Sequence, residues 1–260
     1  MISLMNVSSG YKNNCVIKNL NVEFGRGKIT SIIGRNGCGK TTLLKTASGL
    51  IRPDAGDVFL QTASGKRKLL CMKHNEIAKY ISFLPQNRDI PCMTVHSLVK
   101  HGRFPHLNFS RILQKKDLDA VHEAIEAMSL TEFSNKNLRE LSGGQRQKAY
   151  LAMVLAQNTD IIFLDEPTAY LDISHQLEMI QTVKKLKNLG KTVVMVLHDI
   201  NLALASSDSI CIMDNGEIKD FGTPEMVLQN NTIDQILGVS CVEVPAEFCG
   251  MRQYIFKLRH

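Results

Sequence analysis

The chain has 260 residues, of which 44% are hydrophobic and 22% charged, proportions that are ordinary for a globular protein and exclude a disordered, collagen-like or fibrous chain. Its net charge of +6 suits a phosphate-rich ligand or an anionic membrane surface, but it is too small and too dispersed for a nucleic-acid footprint. No apolar run approaches the roughly 20 residues that cross a bilayer, and the N-terminal residues do not resemble a signal peptide. A cytoplasmic protein is therefore expected.

Neither the basic run at residues 66–68 nor the cysteines indicate a functional site. The basic run Lys66-Arg67-Lys68 is interpreted as a solvated turn. The seven cysteines never occur with C-x-x-C spacing, which disfavours a disulfide framework and a zinc ribbon and favours reduced, mostly buried thiols. They are Cys15, Cys38, Cys71, Cys92, Cys211, Cys241 and Cys249.

Changes of periodicity divide the chain into parts. Up to about residue 86, short β-branched runs separated by Gly and Asn, such as 29–33, predict strands. Between about 94 and 138, apolar residues recur every three or four positions and predict helices. Strands then alternate with helices, which is typical of a parallel sheet with covering helices. The apolar stripe of the helical part is Leu118, Val121, Ala124, Ile125 and Met128; the later strands are 160–164, 192–197, 241–244 and 254–258, the last two flanking Pro245 and Gly250, and the later helices are 173–187 and 200–205.

A glycine-rich loop follows the strand that ends at Ile33. Residues 34–41 match G-x-x-x-x-G-K-[ST] in full, between a predicted strand and a predicted helix. Glycines let successive N–H groups point inward as an anion-binding nest, and a helix that begins near Lys40 directs its positive dipole end at the same anion. Lys40 adds a full charge near the β- and γ-phosphates, and the Thr41 hydroxyl can ligate Mg²⁺. The pattern predicts a nucleotide phosphate loop.

Cys38 belongs to this loop and lies near a helix N-terminus, a position that tends to lower a thiol pKa. Two interpretations are open. The thiol either makes the phosphate loop sensitive to alkylation, or it is a small side chain that simply fits.

An apolar run, 161–164, ends in the acids Asp165 and Glu166. Two carboxylates at a buried strand end are costly without a cation, and Mg²⁺ on a nucleotide would supply one. Asp165 would then hold the metal, and Glu166 would act as the general base that polarises the water attacking the γ-phosphate. The strand 192–197 ends in a similar way at His198, where parallel sheets bind ligands.

A second segment with the features of an anion site begins at Leu141. Residues 141–145 read L-S-G-G-Q and precede a helix predicted to run to Gln157, with Ser142 as candidate N-cap and two glycines that expose N–H groups. On physical grounds alone, the segment is either another phosphate-binding helix start or an ordinary capped helix.

The segment L-S-G-G-Q is the signature of ATP-binding-cassette (ABC) ATPases, and the chain resembles that family over nearly its whole length. Tyr11 is placed like the aromatic residue that stacks on adenine, and Gln86 like the Q-loop glutamine. Leu171-Asp172 matches the D-loop, and His198 matches the switch histidine. The ordered set of motifs makes the resemblance highly specific.

The resemblance implies an α/β fold of the P-loop NTPase (RecA-like) type, with a mostly parallel sheet, an antiparallel β subdomain and an inserted ABC helical subdomain. It implies a single ABC ATPase domain over residues 1–260. The catalytic core would comprise about 1–86 and 159–240, the helical subdomain about 87–158, and a C-terminal tail 241–260.

A mechanism is implied as well. Two subunits would pair head to tail on binding ATP, so that each ATP lies between one subunit's phosphate loop and the other subunit's signature. The catalytic residues would be Lys40, Glu166 and His198. The implied ATP contacts are Tyr11, Gly34, Arg35, Asn36, Gly37, Cys38, Gly39, Lys40, Thr41, Thr42, Gln86 and Asp165, with Thr41, Gln86 and Asp165 around Mg²⁺, while Ser142, Gly143, Gly144, Gln145 and Asp172 would act on the partner subunit's ATP.

Further segments resemble the ATPases of bacterial importers for iron–siderophore complexes, haem and cobalamin. They are 102–106, 169–176 and 197–203, and they are expected on surfaces that face a permease or the second subunit. The resemblance implies an ATP-hydrolysing import subunit at the cytoplasmic face of the membrane, with ferric siderophore as the first cargo and haem or cobalamin next. Its partners would be a permease dimer and, indirectly, an extracytoplasmic binding protein. No nucleic acid would be a partner.

A non-transport ABC ATPase, of the type that serves iron–sulfur assembly scaffolds, is the alternative that fits the length. That type should lack the segments 102–106 and 169–176. A phosphate-loop kinase or GTPase would not account for L-S-G-G-Q.

Overall fold

A computed structural model describes residues 1–12, 14–63, 65–86, 89–107, 112–169, 171–244 and 253–258. The strands are β1 Ile2–Tyr11, β2 Asn14–Phe24, β3 Ile29–Gly34, β4 Ala55–Thr62, β5 Gly65–Lys68, β6 Ile81–Leu84, β7 Ile161–Asp165, β8 Thr192–Val196, β9 Ser209–Asp214, β10 Glu217–Gly222, β11 Val239–Val244 and β12 Gln253–Leu258. The helices are α1 Lys40–Ala47, α2 His74–Ile77, α3 Val95–His101, α4 Lys115–Ala127, α5 Gly143–Gln157, α6 Ile173–Asn188, α7 Ile200–Ser206, α8 Pro224–Gln229 and α9 Thr232–Leu237. Single 3₁₀ turns occur at Leu69–Cys71, Phe104–His106, Thr131–Phe133 and Leu138–Glu140.

The chain forms two compact units, one of residues 1–72 and 183–260 and the other of residues 73–182. In the first unit, an antiparallel sheet has the strand order β2-β1-β4-β5. A second sheet places β3 between β8 and β9, parallel to both, and β10 pairs antiparallel with β9. The tail strands β11 and β12 pair antiparallel with each other. The mostly parallel sheet and the antiparallel subdomain of the predicted fold class are both present.

The parallel strands of the first unit are buried along almost their whole length. All five residues of β8 and the first five of β3 are buried. Parallel strands covered on both faces have nearly continuous apolar sequences, which is why these runs could be recognised as strands. The chain leaves β3 at Gly34 and enters α1 at Lys40, so the glycine-rich loop lies at the carboxyl end of a buried strand.

The second unit contains two parallel strands and the helical part. β6 pairs in register with β7, from Ile81 opposite Ile161 to Leu84 opposite Leu164. The helices α3, α4 and α5 pack against one another. The predicted stripe of α4 is buried from Val121 to Met128, but Leu118 is 36% exposed and lies at the margin of the packed face. Its place in the stripe was wrong, because Asp117 is the buried residue in the first turn of α4.

Two other sequence interpretations need correction. Residues 66–68 form strand β5, not a turn, and pair with β4. The ammonium group of Lys66 lies 4.4 Å from the ring centroid of Phe59 on β4, so cation–π attraction accompanies the strand pairing. The thiols are free among the described residues, but Cys15, Cys71 and Cys92 are exposed, Cys241 is half-buried, and only Cys38 and Cys211 are buried. Cys249, Pro245 and Gly250 lie outside the described residues.

Candidate active site

The phosphate loop, residues 34–42, has a backbone that requires glycine at several positions. Gly34, Gly37 and Gly39 have φ angles of 152°, 77° and 105°, a region that L side chains rarely adopt. A Cβ on Gly34 would also overlap the carbonyl oxygen of Met213 on β9. The loop conformation is therefore a direct consequence of the glycine spacing.

Lys40 is held inside this loop. Its side chain turns back from the start of α1, and its Nζ donates hydrogen bonds to the carbonyl oxygens of Gly34 and Arg35, at 2.8 and 2.9 Å. The residue is only 6% exposed, so these two carbonyls offset the cost of burying an ammonium group. The positive charge is thereby fixed over the loop, at the amino end of α1. Thr41 and Thr42 continue the first turn of the helix.

Cys38 is buried beside Lys40, and burial raises its thiol pKa, although the charge of Lys40 acts in the opposite direction. The expected lowering of this pKa was wrong, because removal from water outweighs the helix terminus and the ammonium. A buried, protonated thiol reacts poorly with alkylating agents. The remaining interpretation is a small side chain that fits the loop.

Tyr11 and His198 belong to the same unit as the phosphate loop. Tyr11 ends β1 and is 47% exposed, and His198 lies two residues after the end of β8 and is exposed. The neighbouring Asp199 accepts a hydrogen bond from the Leu202 N–H, at 2.9 Å, and so caps α7. Both residues are exposed, but the Asp199 carboxylate is engaged as the cap of α7.

The two acids at the end of β7 have different environments. Asp165 is the last residue of the strand and is 3% exposed. Glu166 is half-buried and has a φ of 49°, a conformation that costs a non-glycine residue about 1–3 kcal/mol and that clusters at functional sites. The side-chain amide of Gln86 donates a hydrogen bond to the Glu166 carboxylate. The structure therefore brings together two residues that the sequence assigned to one site.

The signature segment, residues 141–145, begins α5. Ser142 Oγ accepts from the Gln145 N–H, and Gln145 Oε1 accepts from the Ser142 N–H, at 3.2 and 3.1 Å. This reciprocal capping box satisfies two backbone donors and leaves Ser142 and Gly143 exposed. Gly143 also borders a cavity that Gln86, Arg146 and Glu166 help to line.

The second glycine of the signature is not accessible. Gly144 is buried, and a Cβ at this position would overlap the imidazole ring of His175. His175 in turn belongs to the start of α6, where Asp172 is the helix cap. Ser142 and Gly143 are therefore the parts of the signature that a ligand can reach directly.

Asp172 accepts three hydrogen bonds at one carboxylate oxygen, from Ser174 Oγ, the His175 N–H and His175 Nδ1, at 2.9, 2.9 and 2.7 Å. These donors lower the carboxyl pKa from 3.8 to about 2, with the His175 backbone N–H as the largest contribution. Asp172 is consequently charged at neutral pH and holds the first turn of α6.

The segment 102–106 has a structural role within the second unit. Arg103 is buried, donates to Asp117 from Nε and Nη2 at 3.1 and 2.9 Å, and donates to the Ala156 carbonyl from Nη1. Burial raises the pKa of Asp117, but hydrogen bonds from the Gln114 N–H and Arg103 bring it below its usual value. A Cβ on Gly102 would overlap the Met153 carbonyl oxygen. The expectation that this segment lies at the surface was wrong for Gly102 and Arg103.

Sequence reasoning missed two side chains that organise the site. Arg103 fixes the C-terminal end of α5, and His175 contacts the N-terminal end. Both lie in segments that resemble the ATPases of iron-chelate importers, but the sequence pattern alone does not show that they pack against α5. The Asp172–His175 spacing of three residues at a helix start was the available signal for the second contact.

Comparison with known proteins identifies the family. A family profile described as ABC transporter matches residues 17–169. The petrobactin import ATP-binding protein FpuD of Bacillus anthracis is 40% identical over 89% of this chain and 84% of its own length. The iron(3+)-hydroxamate import ATP-binding protein FhuC of Bacillus subtilis (strain 168) is 39% identical over 92% and 88%, and the ferric enterobactin transport ATP-binding protein FepC of Escherichia coli (strain K12) is 39% identical over 93% and 88%.

Solved structures give the same result. An ATP-binding cassette in a dimeric post-hydrolysis state, bound to ADP and Pi, has a TM-score of 0.74 and 30% identity, over 86% of this chain and 99% of that one. A chain of a transporter described as of the metal-chelate type, in an inward-facing conformation, has a TM-score of 0.84 and 25% identity, over 100% and 97%. The chain belongs to the ABC transporter family, as an ATP-binding subunit. It binds and hydrolyses ATP in the service of transport.

Proposed function

We propose that this chain energises the import of a ferric siderophore through a membrane permease, with haem or cobalamin as the next candidate cargoes. The observation that carries the proposal is the similarity, at about 40% identity over about nine tenths of the chain, to several ATP-binding proteins named for petrobactin, hydroxamate and enterobactin iron import. Because these relatives are import subunits, nothing favours the iron–sulfur scaffold alternative.

The phosphate loop would hold the β- and γ-phosphates of ATP. Its backbone N–H groups and the amino end of α1 favour an anion, and Lys40 supplies a fixed positive charge there. Tyr11 would stack on the adenine through its exposed ring. The further ATP contacts are those of the loop itself, Gly34, Arg35, Asn36, Gly37, Cys38, Gly39, Thr41 and Thr42.

The residues assigned to Mg²⁺ fit this ion in their chemistry. Thr41, Gln86 and Asp165 offer a hydroxyl, an amide oxygen and a carboxylate, which are the hard oxygen donors that Mg²⁺ prefers. Asp165 is a buried carboxylate at a strand end, which a cation would stabilise. When bound with the nucleotide, Mg²⁺ would neutralise charge on the phosphates.

Hydrolysis would depend on Glu166 and His198. Glu166 projects from a strained backbone position, next to the Gln86 amide, and would orient and polarise the attacking water. His198 would stabilise the charge that develops on the γ-phosphate. Gln86 links the general base to a segment that would sense the permease.

A second copy of the chain would complete each site. The start of α5 in one subunit, residues Ser142, Gly143, Gly144 and Gln145, would cap the γ-phosphate bound by the other. The direct contacts would come from Ser142 and Gly143, which are exposed, and the helix dipole would favour the same anion. Asp172 would couple the two sites. Closing and opening of the dimer would move the permease between its two facings.

The place of action would be the cytoplasmic face of the cell membrane, reached through the permease. Among the described residues, no helix has both the length and the apolar character needed to cross a bilayer. A permease dimer would bind the ATPase, an extracytoplasmic binding protein would deliver the chelate, and no nucleic acid would take part.

Replacement of Glu166 by Gln tests the ATPase mechanism. Glu166→Gln should bind Mg-ATP, lose about 10²–10⁴-fold in hydrolysis rate and accumulate as a dimer, because the general base is removed while the binding residues remain. Light scattering with Mg-ATP measures the dimer, and Mg-ADP is the control. A monomer under Mg-ATP would contradict the proposed sandwich of two subunits.

The transport assignment needs a separate experiment. Tagged Glu166→Gln captured from detergent-solubilised native membranes with Mg-ATP should co-purify with a permease of many helices, identified by mass spectrometry. A strain that lacks the chain should lose uptake of ⁵⁵Fe-labelled siderophore, and the wild-type gene should restore it while the Glu166→Gln gene should not. Recovery of soluble partners only, with unchanged uptake, would overturn the import assignment.

A further inference from the structure

His175 occupies a position between two elements that are both assigned to the partner subunit's ATP. It lies in the first turn of α6, three residues after Asp172, and its ring reaches the first turn of α5. The two elements are the D-loop residues 171–172 and the signature segment 141–145. The residue has no role in the function proposed above.

One edge of the imidazole binds the D-loop carboxylate. Nδ1 lies 2.7 Å from Asp172 Oδ1, and an ionised carboxylate can only accept hydrogen bonds, so Nδ1 carries the proton. Protonation of the second ring nitrogen leaves this donor in place. The hydrogen bond from His175 Nδ1 to Asp172 is therefore present whether the ring is neutral or charged.

The other edge of the imidazole packs on the signature. A Cβ added to Gly144 would overlap Cδ2 and lie too close to Nε2 of the ring. The ring therefore occupies the space that any larger residue at position 144 would need. If Asp172 moves and His175 moves with it, the ring that packs against the first turn of α5 moves as well.

The surrounding contacts fix the two helices at this point. Lys148 on α5 forms an ion pair with Glu178 on α6, with 2.8 Å between Nζ and Oε2. Gln147 donates from Nε2 to the Pro167 carbonyl oxygen, at 2.8 Å, in the segment that leads from Glu166 toward the D-loop. His175 lines the same small cavity as Lys148 and Glu178, together with the apolar side chains of Leu151 and Met179.

We propose that His175 is a positioning residue that joins the D-loop to the signature segment of the same subunit, so that both elements are presented to the partner's ATP as one rigid edge. The inference rests on the proposed function, because the two elements act in trans only if the dimer forms. His175 contacts no nucleotide itself and acts through Asp172 and Gly144.

Three variants separate this role from simple helix capping. His175→Ala removes both contacts of the ring. His175→Asn keeps a side-chain donor near the Asp172 carboxylate but removes the ring edge that packs on Gly144. Ser174→Ala is the matched control, since it removes a different donor to the same carboxylate oxygen and leaves the ring in place.

The measurements are the ATP affinity of the monomer, by calorimetry, and the Mg-ATP-dependent dimerisation constant, by light scattering in the Glu166→Gln background. His175→Ala and His175→Asn should each weaken the dimer about tenfold, with monomer ATP affinity within about twofold of the parent. Ser174→Ala should change neither quantity by more than about twofold. In the wild-type background, the two His175 variants should raise KM for ATP more than they lower kcat.

Different outcomes overturn different statements. Dimerisation of His175→Asn at the parental level would show that His175 only caps α6, and the inference would be wrong while the proposed function stands. A parallel loss of monomer ATP affinity would also contradict it, because a residue that positions trans elements leaves the subunit's own phosphate loop intact. Failure of the Glu166→Gln parent to dimerise would overturn the proposed function, and the inference with it.

Discussion

The phosphate loop and the signature segment are both glycine-rich helix starts, but glycine serves different purposes in them. In the phosphate loop, Gly34, Gly37 and Gly39 have positive φ angles that create an anion-binding nest. In the signature segment, Gly143 and Gly144 lie inside α5. The phosphate loop needs glycine for its backbone conformation. The signature segment needs it so that the start of α5 is accessible at Gly143 and leaves space for the His175 ring at Gly144.

The two segments also differ in how their polar groups are satisfied without any second copy of the chain. Lys40 is bound to carbonyls of its own loop, so the phosphate loop is organised within one subunit. The signature segment satisfies two donors by a capping box and leaves Ser142 and Gly143 exposed. An element that is organised but exposed is suited to complete a site on another molecule. The predictions below test this difference.

The largest expected effect on folding is at Gly34. Gly34→Ala should lower the free energy of unfolding by about 3 kcal/mol or more, because the new Cβ would overlap the backbone of β9, which cannot move without breaking the sheet. Urea unfolding measures the change. Gly37→Ala is the control, with a positive φ but open space around the Cβ, and should lose only about 1 kcal/mol. Equal losses at the two positions would show that strain, not overlap, dominates the loop.

Lys40→Ala should lower the affinity for ATP at least about 100-fold, equivalent to about 2.7 kcal/mol, because the fixed charge over the loop is lost. Calorimetry with Mg-ATP checks it. Lys45→Ala, on the same helix, controls for a general loss of positive charge and should bind as the wild type does. Unchanged affinity in Lys40→Ala would contradict the assignment of the phosphate loop.

The signature segment should respond differently at its two glycines. Gly144→Ala should lower the free energy of unfolding by about 1–2 kcal/mol, since the overlap is with a side chain, His175, that can partly adjust. Gly143→Ala should leave stability unchanged or raise it by up to about 1 kcal/mol, because alanine favours the helix and meets nothing. It should nevertheless abolish the Mg-ATP dimer of Glu166→Gln, measured by light scattering. A normal dimer in Gly143→Ala would show that the exposed glycine is not at an interface.

Local patterns made much of the molecule predictable. The phosphate loop, the buried strands β3, β7 and β8, and the long helices α5 and α6 each follow from a short stretch of sequence, because burial period, glycine spacing and helix caps are local.

The contacts of Gly144 and of Arg103 that the sequence did not predict join segments that are separated along the chain. Gly144 and His175 meet because the start of α5 lies beside the start of α6. Arg103, just after α3, meets Asp117 because α3 and α4 pack against each other. Neither pair has a periodic signal. The pKa of Cys38 was misjudged for a related reason, since its burial arises from tertiary packing around the loop, and this outweighs the local helix terminus.

The smallest expected effect is the pH dependence of the signature's neighbour, Asp172. Its folded pKa of about 2 lies below the ordinary value of 3.8, so the carboxylate binds its donors more strongly when it is ionised. The stability it contributes is fully present above about pH 4 and is lost as the pH falls through 2. The midpoint of thermal unfolding of Asp172→Asn should therefore lie slightly below that of the wild type at neutral pH, and the two should converge near pH 2.

Because Asp172 is exposed but bound by directional hydrogen bonds, the difference at neutral pH should persist in about 0.5 M salt, whereas a purely coulombic contribution at the surface would be screened. A difference that stays constant from pH 7 to 2 would show that the Asp172 side chain stabilises α6 without its charge.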